Sequence, residues 1–479
     1  MSRVTTWKYN DPCQPNFASH YDIVQRAVLQ VTDIKTNRNK YYALELHEAE
    51  GAEQNYRYRL FTHYGRTDDL ENNPNSGQRE CRYYPSLHMA QAGYNTIYRQ
   101  KTSSRKGYKE VSLASSNIGS TAARGESSGS IDSKTLERIE AQEEAVKSPT
   151  PETPQIHLQP GVRSLVRYLY DEAVGALTST VNARVTAQGI ETPLGVLTIG
   201  QIEKGEEILS DLYDVLQKKR VRRRNDKLRE LSSEFYTVIP HRFGRSRAAA
   251  EAAIITDLSD FQTKQETLQL MKDMLQVNGE EGALLHNAQE EQEYTALHCD
   301  IKALSRRSKS YKTIKQLVEE SQRHRTHLQV HNVFSLKRDG EESQFTEAID
   351  NQQLLFHGSR IQNWVGILSR GLLLPKIAVN MGVSRTDEGW LGHGLYFSDA
   401  SCTSSGYASE GSKGTGFMAV SRVALGKIKP YNKITYGLTS PPEGFDSCHG
   451  VRGTQFYDDE YVIYNECQQK LEYLVEFSE

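Results

Sequence analysis

Apolar and polar positions alternate with a period of two in three early stretches, Tyr21 to Val31, Lys40 to Leu46 and Tyr56 to Arg66, all rich in β-branched and aromatic residues. Alternation of this kind buries one face of a strand and wets the other, so it predicts an antiparallel sheet that is polar on one side. Ser86 to Arg99 then reads as a helix and Tyr108 to Val111 as a short returning strand. Gly65, set between Tyr64 and Arg66, is expected to mark a turn or bulge at a strand end.

From Val111 to His157 the chain has no aromatic residue, is dominated by Ser, Thr, Gly and Glu, and closes with Ser148 to Pro154. Such a stretch buries too little apolar area to offset its ordering entropy, which predicts a flexible linker with a transient helix around Leu136 to Lys147. The apolar period then becomes helical. Val162, Leu165, Val166 and Leu169 form one stripe, Ile202, Ile208, Leu209, Leu212, Val215 and Leu216 a second, and Leu268, Met271, Met274 and Leu275 a third. Thr198 and Gln201 have capping-box spacing. Beyond residue 325 strand patterns return at Leu328 to Leu336, Gly394 to Phe397, Gly416 to Leu425, Glu460 to Tyr464 and Leu471 to Phe477. Short helices such as Ile361 to Ser369 and Gly-rich loops separate them, which predicts an α+β domain dominated by antiparallel strands.

Length and composition bound this picture. A chain of 479 residues is too long for one core. With 37% hydrophobic and 25% charged residues and a net charge of -3, whole-molecule charge decides nothing about nucleic acid. The first 110 residues hold 16 Lys and Arg against 12 Asp and Glu, a balance of +4 that suits an anionic partner. Lys218 to Arg224 reads equally as a nuclear import signal or a solvated helix face. Six cysteines, never at C-x-x-C spacing, imply a reducing compartment and no structural metal. No signal-peptide pattern and no run of about 18 apolar residues is seen, so the expectation is an intracellular chain with no membrane segment.

Candidate chemistry begins at Leu354-Leu355-Phe356-His357-Gly358-Ser359-Arg360. Three apolar residues drive a buried strand to a histidine, and Gly and Ser then turn the backbone so that a ligand can approach it. Taken alone, such a histidine reads more readily as a satisfied core residue than as a ligand. Gly394-Leu395-Tyr396-Phe397-Ser398-Asp399 places a tyrosine on a strand after Gly392-His393-Gly394, with Ser404 to Tyr407 on a following helical turn. Asp459-Glu460-Tyr461-Val462-Ile463-Tyr464 opens a strand with an acid. A His, a Tyr and a Glu at the edges of separate strands are suited to hold a polar ligand across a cleft.

These three motifs resemble the His-Tyr-Glu signature of the poly(ADP-ribose) polymerase family. Pro193-Leu194-Gly195 with the Gln201 helix, and Phe235 to Gly244, resemble that family's helical regulatory domain. Tyr64-Gly65-Arg66 and the helix after it resemble its Trp-Gly-Arg domain, which binds DNA. The resemblance implies a multidomain α+β chain. Its parts would be a DNA-binding domain at 1–112 (a small antiparallel sheet plus helix), a flexible linker at 113–157, an all-α helical regulatory and autoinhibitory domain at 158–295, and an ADP-ribosyltransferase catalytic domain at 296–479.

The implied chemistry is transfer of ADP-ribose from NAD+, used as substrate without a metal, through an oxocarbenium-like transition state. On motif match Glu460 would hydrogen-bond the nicotinamide ribose, stabilise developing positive charge and orient the acceptor. His357 would hold ribose hydroxyls and Tyr396 would pack beside the nicotinamide. Gly358 would bind the carboxamide through its backbone, Ser404 would add a hydroxyl contact, and Tyr407 would stack on the ring. Ser359 and Gly366 match further donor-site positions, and Tyr64, Gly65 and Arg66 would meet DNA ends.

The sequence departs from the pattern at Tyr64, in place of a Trp; at Leu373, where many members have an Arg; at Thr403, where a Lys is frequent; and at Trp390, where a Met often borders the acceptor. The last two put chain elongation in question. The leading expectation is a nuclear enzyme, if the source is eukaryotic, that is activated by DNA strand breaks. It would build poly(ADP-ribose) on itself and other proteins, with an accessory factor completing the acceptor site as an open possibility. A mono-ADP-ribosyltransferase and a DNA-end-binding scaffold with degenerate catalysis are the alternatives.

Overall fold

The alternating stretches near the N-terminus pair as expected, and two strands that alternation does not flag join them. The strands are β1 (Trp7–Lys8), β2 (Asp22–Asp33), β3 (Arg38–Glu48), β4 (Tyr58–Arg66), β5 (Gln78–Tyr84) and β6 (Lys109–Glu110), in the order β1-β5-β4-β3-β2-β6. Helix α1 (Leu87–Thr102) starts where Ser86 Oγ accepts the Met89 N–H at 3.4 Å, and it buries Ala90 and Tyr94 against Leu44, Leu46 and Leu60. The computed structural model describes residues 4–49, 54–147, 157–181, 183–186, 189–217, 223–241, 246–279, 289–323, 327–374 and 389–479. These form two units, 1–144 with 177–272 and 145–176 with 273–479.

Gly65 corrects one expectation. It lies inside β4 opposite Tyr41 in a regular ladder, so it marks neither a turn nor a bulge. An added Cβ would stand 3.0 Å from Gly77 Cα and 3.2 Å from the Tyr41 ring, so the glycine answers a close backbone approach.

The linker expectation is corrected over 113–147. Leu113–Ser116 is strand β7, paired with β10 (Gly195–Leu197) in a sheet of order β7-β10-β9-β8, where β8 is Arg184–Thr186 and β9 is Gly189–Thr192. Helix α2 (Ser133–Lys147) follows. The stretch lacks aromatics but needs no core of its own, because Leu113, Ile118 and Ala123 are fully buried in its neighbour. Ser120 also donates from both N and Oγ to the buried Glu45 carboxylate, which in turn meets His47 at 2.8 Å. Ser148 to Pro154 lies outside the described residues.

The helical stripes fall on α3 (Pro160–Val181), α4 (Ile199–Gln217) and α7 (Leu258–Gly279), with α5 (Arg224–Val238) and α6 (Arg247–Ala252) between the last two. The region is not all-α, since β8, β9 and β10 interrupt it. Gly195 has φ +141°, and its Cβ would lie 2.1 Å from the Ser115 carbonyl oxygen, so the hairpin needs a glycine there. Only half of the capping box forms. Thr198 Oγ1 accepts the Gln201 N–H at 3.2 Å, but the Gln201 side chain accepts from Ser112 N–H at 3.2 Å and donates to the Val238 carbonyl at 3.1 Å. The buried amide therefore ties the residue just before β7 to α4 and α5 instead of closing its own helix. Of the basic run, residues 218–222 lie outside the described residues, as do 242–244 of the motif that begins at Phe235.

The second unit contains α8 (Gln289–Thr295), β11 (Cys299–Ala303), α9 (Lys309–Glu320), β12 (Gln329–Arg338), α10 (Glu341–Gln344), β13 (Gln352–Gly358), α11 (Trp364–Arg370), β14 (Leu395–Ser398), α12 (Ser401–Ser405), β15 (Gly416–Ala424), β16 (Ile428–Tyr431), β17 (Ser447–Gly450), β18 (Glu460–Ile463) and β19 (Gln469–Ser478). Its nine strands run β11-β12-β19-β15-β13-β14-β18-β17-β16, antiparallel except for β16 with β17. Phe356, Met418, Val420, Val475 and Phe477 fill the core beneath α9. All six cysteines are free. Among the described residues no helix is long and apolar enough to cross a membrane.

Candidate active site

The site grows from a place where the large sheet opens. Strand β13 lies between β15 and β14, but its ladder to β14 is the single pair Phe356↔Ser398, whereas the ladder to β15 continues through His357↔Ala419 and Gly358↔Met418. Buried Leu355 and Phe356 hold the strand down, and past them His357 and Gly358 turn one main-chain edge toward the opening. The His357 imidazole fills part of the gap: Nδ1–H donates to the Tyr396 carbonyl at 2.9 Å, and the ring stands 5.7 Å from that of Phe397. A carbonyl can only accept, so this bond fixes the tautomer. Gly358 lies directly under α12, where a Cβ would come within 1.8 Å of the Ser404 carbonyl oxygen.

On the far side of β14 the ladder to β18 is regular, running from Leu395↔Ile463 through Tyr396↔Val462 to Ser398↔Glu460. Glu460 and Tyr396 therefore share a face as diagonal cross-strand neighbours. The Tyr396 hydroxyl donates to the Gly392 carbonyl at 2.7 Å and accepts the Leu391 N–H at 3.0 Å, so it fastens the 389–392 turn. Its ring packs with Leu391, Cys448, Phe456 and Val462.

Glu460 is half-buried, and its carboxylate has no hydrogen bond or ion pair among the described residues. Burial, and then the neighbouring Asp458 charge, push its pKa up to about 7. Asp458 is itself buried and accepts the Thr403 hydroxyl from α12. Asp459 behaves oppositely. Burial opposes its ionisation, but the Arg452 N–H, His449 at 2.7 Å and Arg323 at 3.3 Å together hold it below the usual carboxylate range. Arg323 also pairs with Asp399, and the His449 ring stacks on Tyr461 at 4.5 Å. Three adjacent acids thus have different tasks: Asp459 anchors the strand start, Asp458 grips α12, and Glu460 is held with no partner among the described residues.

The remaining expected residues are distributed as follows. Ser404 is buried on α12, Tyr407 is 66% exposed just beyond it, and Ser359 Oγ accepts the Asn363 amide at 3.1 Å. Gly366, buried on α11, is covered: a Cβ there would fall 2.0 Å from an Asp273 carboxylate oxygen. Asp273 in turn forms a bidentate pair with Arg370 at 2.7 and 3.0 Å. In the first unit Tyr64 stacks on Tyr42 at 5.2 Å, and its hydroxyl lies 2.9 Å from both the Gln78 and the Glu80 side-chain oxygens, sharing its one proton between them. Arg66 pairs with Asp68 at 2.8 Å and donates to the Asn37 carbonyl at 3.0 Å.

Sequence reasoning missed Asp273, Arg370, Arg323, His449 and Asp458. Asp458 could have been found, as an acid two residues before Glu460, but the others carry no local signal.

Comparison with known proteins follows the same three-part order. Residues 25–115 match the WGR domain, 157–298 the poly(ADP-ribose) polymerase regulatory domain, and 308–455 the poly(ADP-ribose) polymerase catalytic domain, so Glu460 lies just past the last match. The chain is 34% identical to mouse (Mus musculus) protein mono-ADP-ribosyltransferase PARP4 over 66% of its own length, but spans only 15% of that protein. It is 27% identical to mouse protein mono-ADP-ribosyltransferase PARP3, over 94% of this chain and 87% of the relative. It is 28% identical to human (Homo sapiens) poly [ADP-ribose] polymerase 2, over 70% of this chain and 60% of the relative.

Proposed function

The chain belongs to the poly(ADP-ribose) polymerase family, and from that premise we propose that it transfers ADP-ribose from NAD+ to protein acceptors, itself included, when it meets DNA strand breaks. The observation that carries this reading is Glu460: a half-buried carboxylate with no hydrogen bond or ion pair among the described residues, set across β14 from the open main-chain edge at His357 and Gly358. Glycosidic cleavage of NAD+ leaves a neutral nicotinamide and an electron-poor ribose carbon, so no general acid is needed. A carboxylate that no described cation neutralises stabilises that developing charge more than it stabilises the ground state.

In this reading the Gly358 backbone takes the carboxamide, Ser404 adds a hydroxyl, Tyr407 covers the ring, His357 and Ser359 hold ribose oxygens, and the Tyr396 turn walls the pocket. Glu460 then orients the acceptor hydroxyl and receives its proton. Gly366 is a donor-site position capped by Asp273, which supports a resting state that DNA relieves by shifting a population toward an uncapped form. Tyr64, Gly65 and Arg66 would contact DNA-end phosphates, with Arg66 exchanging Asp68 for phosphate. Nuclear residence follows from a DNA-break partner.

Polymer formation is the first product reading. A second, single-unit transfer, is favoured by the Thr403–Asp458 tie beside Glu460: an elongating acceptor brings a doubly anionic pyrophosphate, and a buried carboxylate there disfavours it. Labelled NAD+ with and without nicked DNA tests the whole proposal. DNA-stimulated protein labelling supports it, product length separates the two readings, and stimulation that persists unchanged in Arg66→Ala removes the assigned DNA contact.

A further inference from the structure

The two walls of the candidate site meet at one residue. Ser398, at the end of β14, pairs with Phe356 on one side and with Glu460, at the start of β18, on the other. Past that pair both strands leave the ladder, and the next residues outward are Asp399 and Asp459. Like charges at matching positions of neighbouring strand ends repel, and the repulsion acts to splay the strands. Here it acts beside Glu460. The bond from Ser398 Oγ to the Asp459 carbonyl, at 3.0 Å, crosses the same gap but leaves both charges uncompensated.

The Arg323 guanidinium lies across this fork. Its Nη1 donates to Asp459 Oδ2 at 3.3 Å and its Nη2 to Asp399 Oδ2, so one planar group joins both strand ends. Asp459 has further support from His449 at 2.7 Å and from the Arg452 N–H at 3.1 Å. Asp399 has less: its Oδ1 is buried with no hydrogen-bond partner among the described residues, and Arg323 is the cation it meets among them. Burial opposes the guanidinium charge, but Asp399, Asp459 and Asp458 outweigh it and hold its pKa above the usual arginine value.

The arginine is itself fastened in place. It follows α9, where Ser321 Oγ accepts the Ser401 N–H at 3.2 Å, Ser401 Oγ donates to the Val318 carbonyl at 2.8 Å, and the Arg323 N–H meets Cys402 Sγ at 3.3 Å. These contacts dock its backbone on α12, the helix that carries Ser404. A carboxylate that must face a developing charge tolerates little displacement, since a shift of about 1 Å can cost about 10²-fold in rate.

We propose that Arg323 is a positioning residue for the reaction at Glu460: by tying Asp399 to Asp459 it holds the start of β18 against β14 and keeps the Glu460 carboxylate facing the donor. The consequence for turnover rests on the transferase reading given above, whereas the brace itself does not. Removing the arginine alone leaves two facing carboxylates uncompensated, and neutralising Asp399 as well removes the repulsion.

Hydrogen exchange read by mass spectrometry on the full chain tests the brace without substrate. Peptides covering 460–463 should exchange at least about tenfold faster in Arg323→Gln than in wild type, and return to within about threefold of wild type when Asp399→Asn is added. Unchanged exchange in the single variant, or no recovery in the double, would overturn the brace. Turnover of labelled NAD+ with nicked DNA reads the consequence in the same proteins. In Arg323→Gln kcat should fall at least about tenfold with KM for NAD+ held within about twofold, and kcat should recover in the double variant. Arg323→Lys, which keeps the charge and loses the planar fork, should lie between. An unaltered kcat would overturn the positioning role, and so would a rise in KM in place of the fall in kcat, which would make Arg323 a donor contact. A wild type without turnover would remove the transferase reading, and the exchange result would still decide the brace.

Discussion

The His357 imidazole donates from Nδ1 to the Tyr396 carbonyl at 2.9 Å, bridging two strands whose own ladder stops one residue earlier, at Phe356↔Ser398. The bond props the sheet open instead of closing it. Removing the ring in His357→Ala should leave the fold intact by circular dichroism, because its neighbours Leu355 and Phe356 carry the burial. The expected loss in transferase kcat/KM is about 10²- to 10³-fold, the range for losing one preorganised polar contact at a reacting centre. A loss below tenfold would make His357 a core histidine after all.

Glu460 links activity and stability with opposite signs. Its folded pKa of about 7 lies above the usual 4.5, so between those values the folded state keeps a proton that the unfolded state has lost. The stabilisation is fully present below pH 4.5 and is lost as pH rises to about 7, above which the buried charge is a standing cost. Glu460→Gln should therefore melt at a higher temperature than wild type at pH 8, with no advantage at pH 4.5. Wild-type kcat/KM should climb through pH 7 as the carboxylate forms. Thermal scans and rate profiles over the same buffers check both trends.

Asp458 contributes to that raised pKa after burial itself. Asp458→Asn keeps an acceptor for the Thr403 hydroxyl but removes the charge, so the acid limb of kcat/KM should move to lower pH while the enzyme stays folded. On the single-unit reading, the same variant should yield longer products on a sequencing gel. An unmoved limb would show that burial alone tunes Glu460.

Asp273 caps Gly366 and pairs with Arg370. Asp273→Ala should raise activity measured without DNA severalfold and shrink the DNA stimulation ratio. It should also lower stability by about 3–5 kcal/mol, because Arg370 loses its buried partner, as urea unfolding would register. Unchanged basal activity would separate this ion pair from any gating.

Much of this arrangement was legible in the chain. Period-two alternation located β2, β3 and β4, apolar runs located β13 and β15, and the motif residues His357, Tyr396 and Glu460 do sit on three adjacent strands. What escaped depends on partners remote in sequence. Residues 113–147 looked unable to fold because their burial is completed by other segments, including Glu45 and β10. Gln201 looked like a local cap, yet its amide reaches Ser112 and Val238. Gly65 looked like a bulge because a close approach from Gly77 leaves no local mark. Asp273 meets Arg370 across 97 positions, and Arg323 meets Asp459 across 136, distances that no spacing rule spans.

The most direct test of the account is to supply NAD+ labelled separately on nicotinamide and on adenylate to wild type and to Glu460→Gln, with nicked DNA present. Wild type should release free nicotinamide in at least equal amount to the adenylate label it fixes on protein. Both should fall at least about 100-fold in Glu460→Gln, as expected when the group facing the developing charge is lost. Equal turnover by the two proteins, or nicotinamide release with no label on protein, would contradict it.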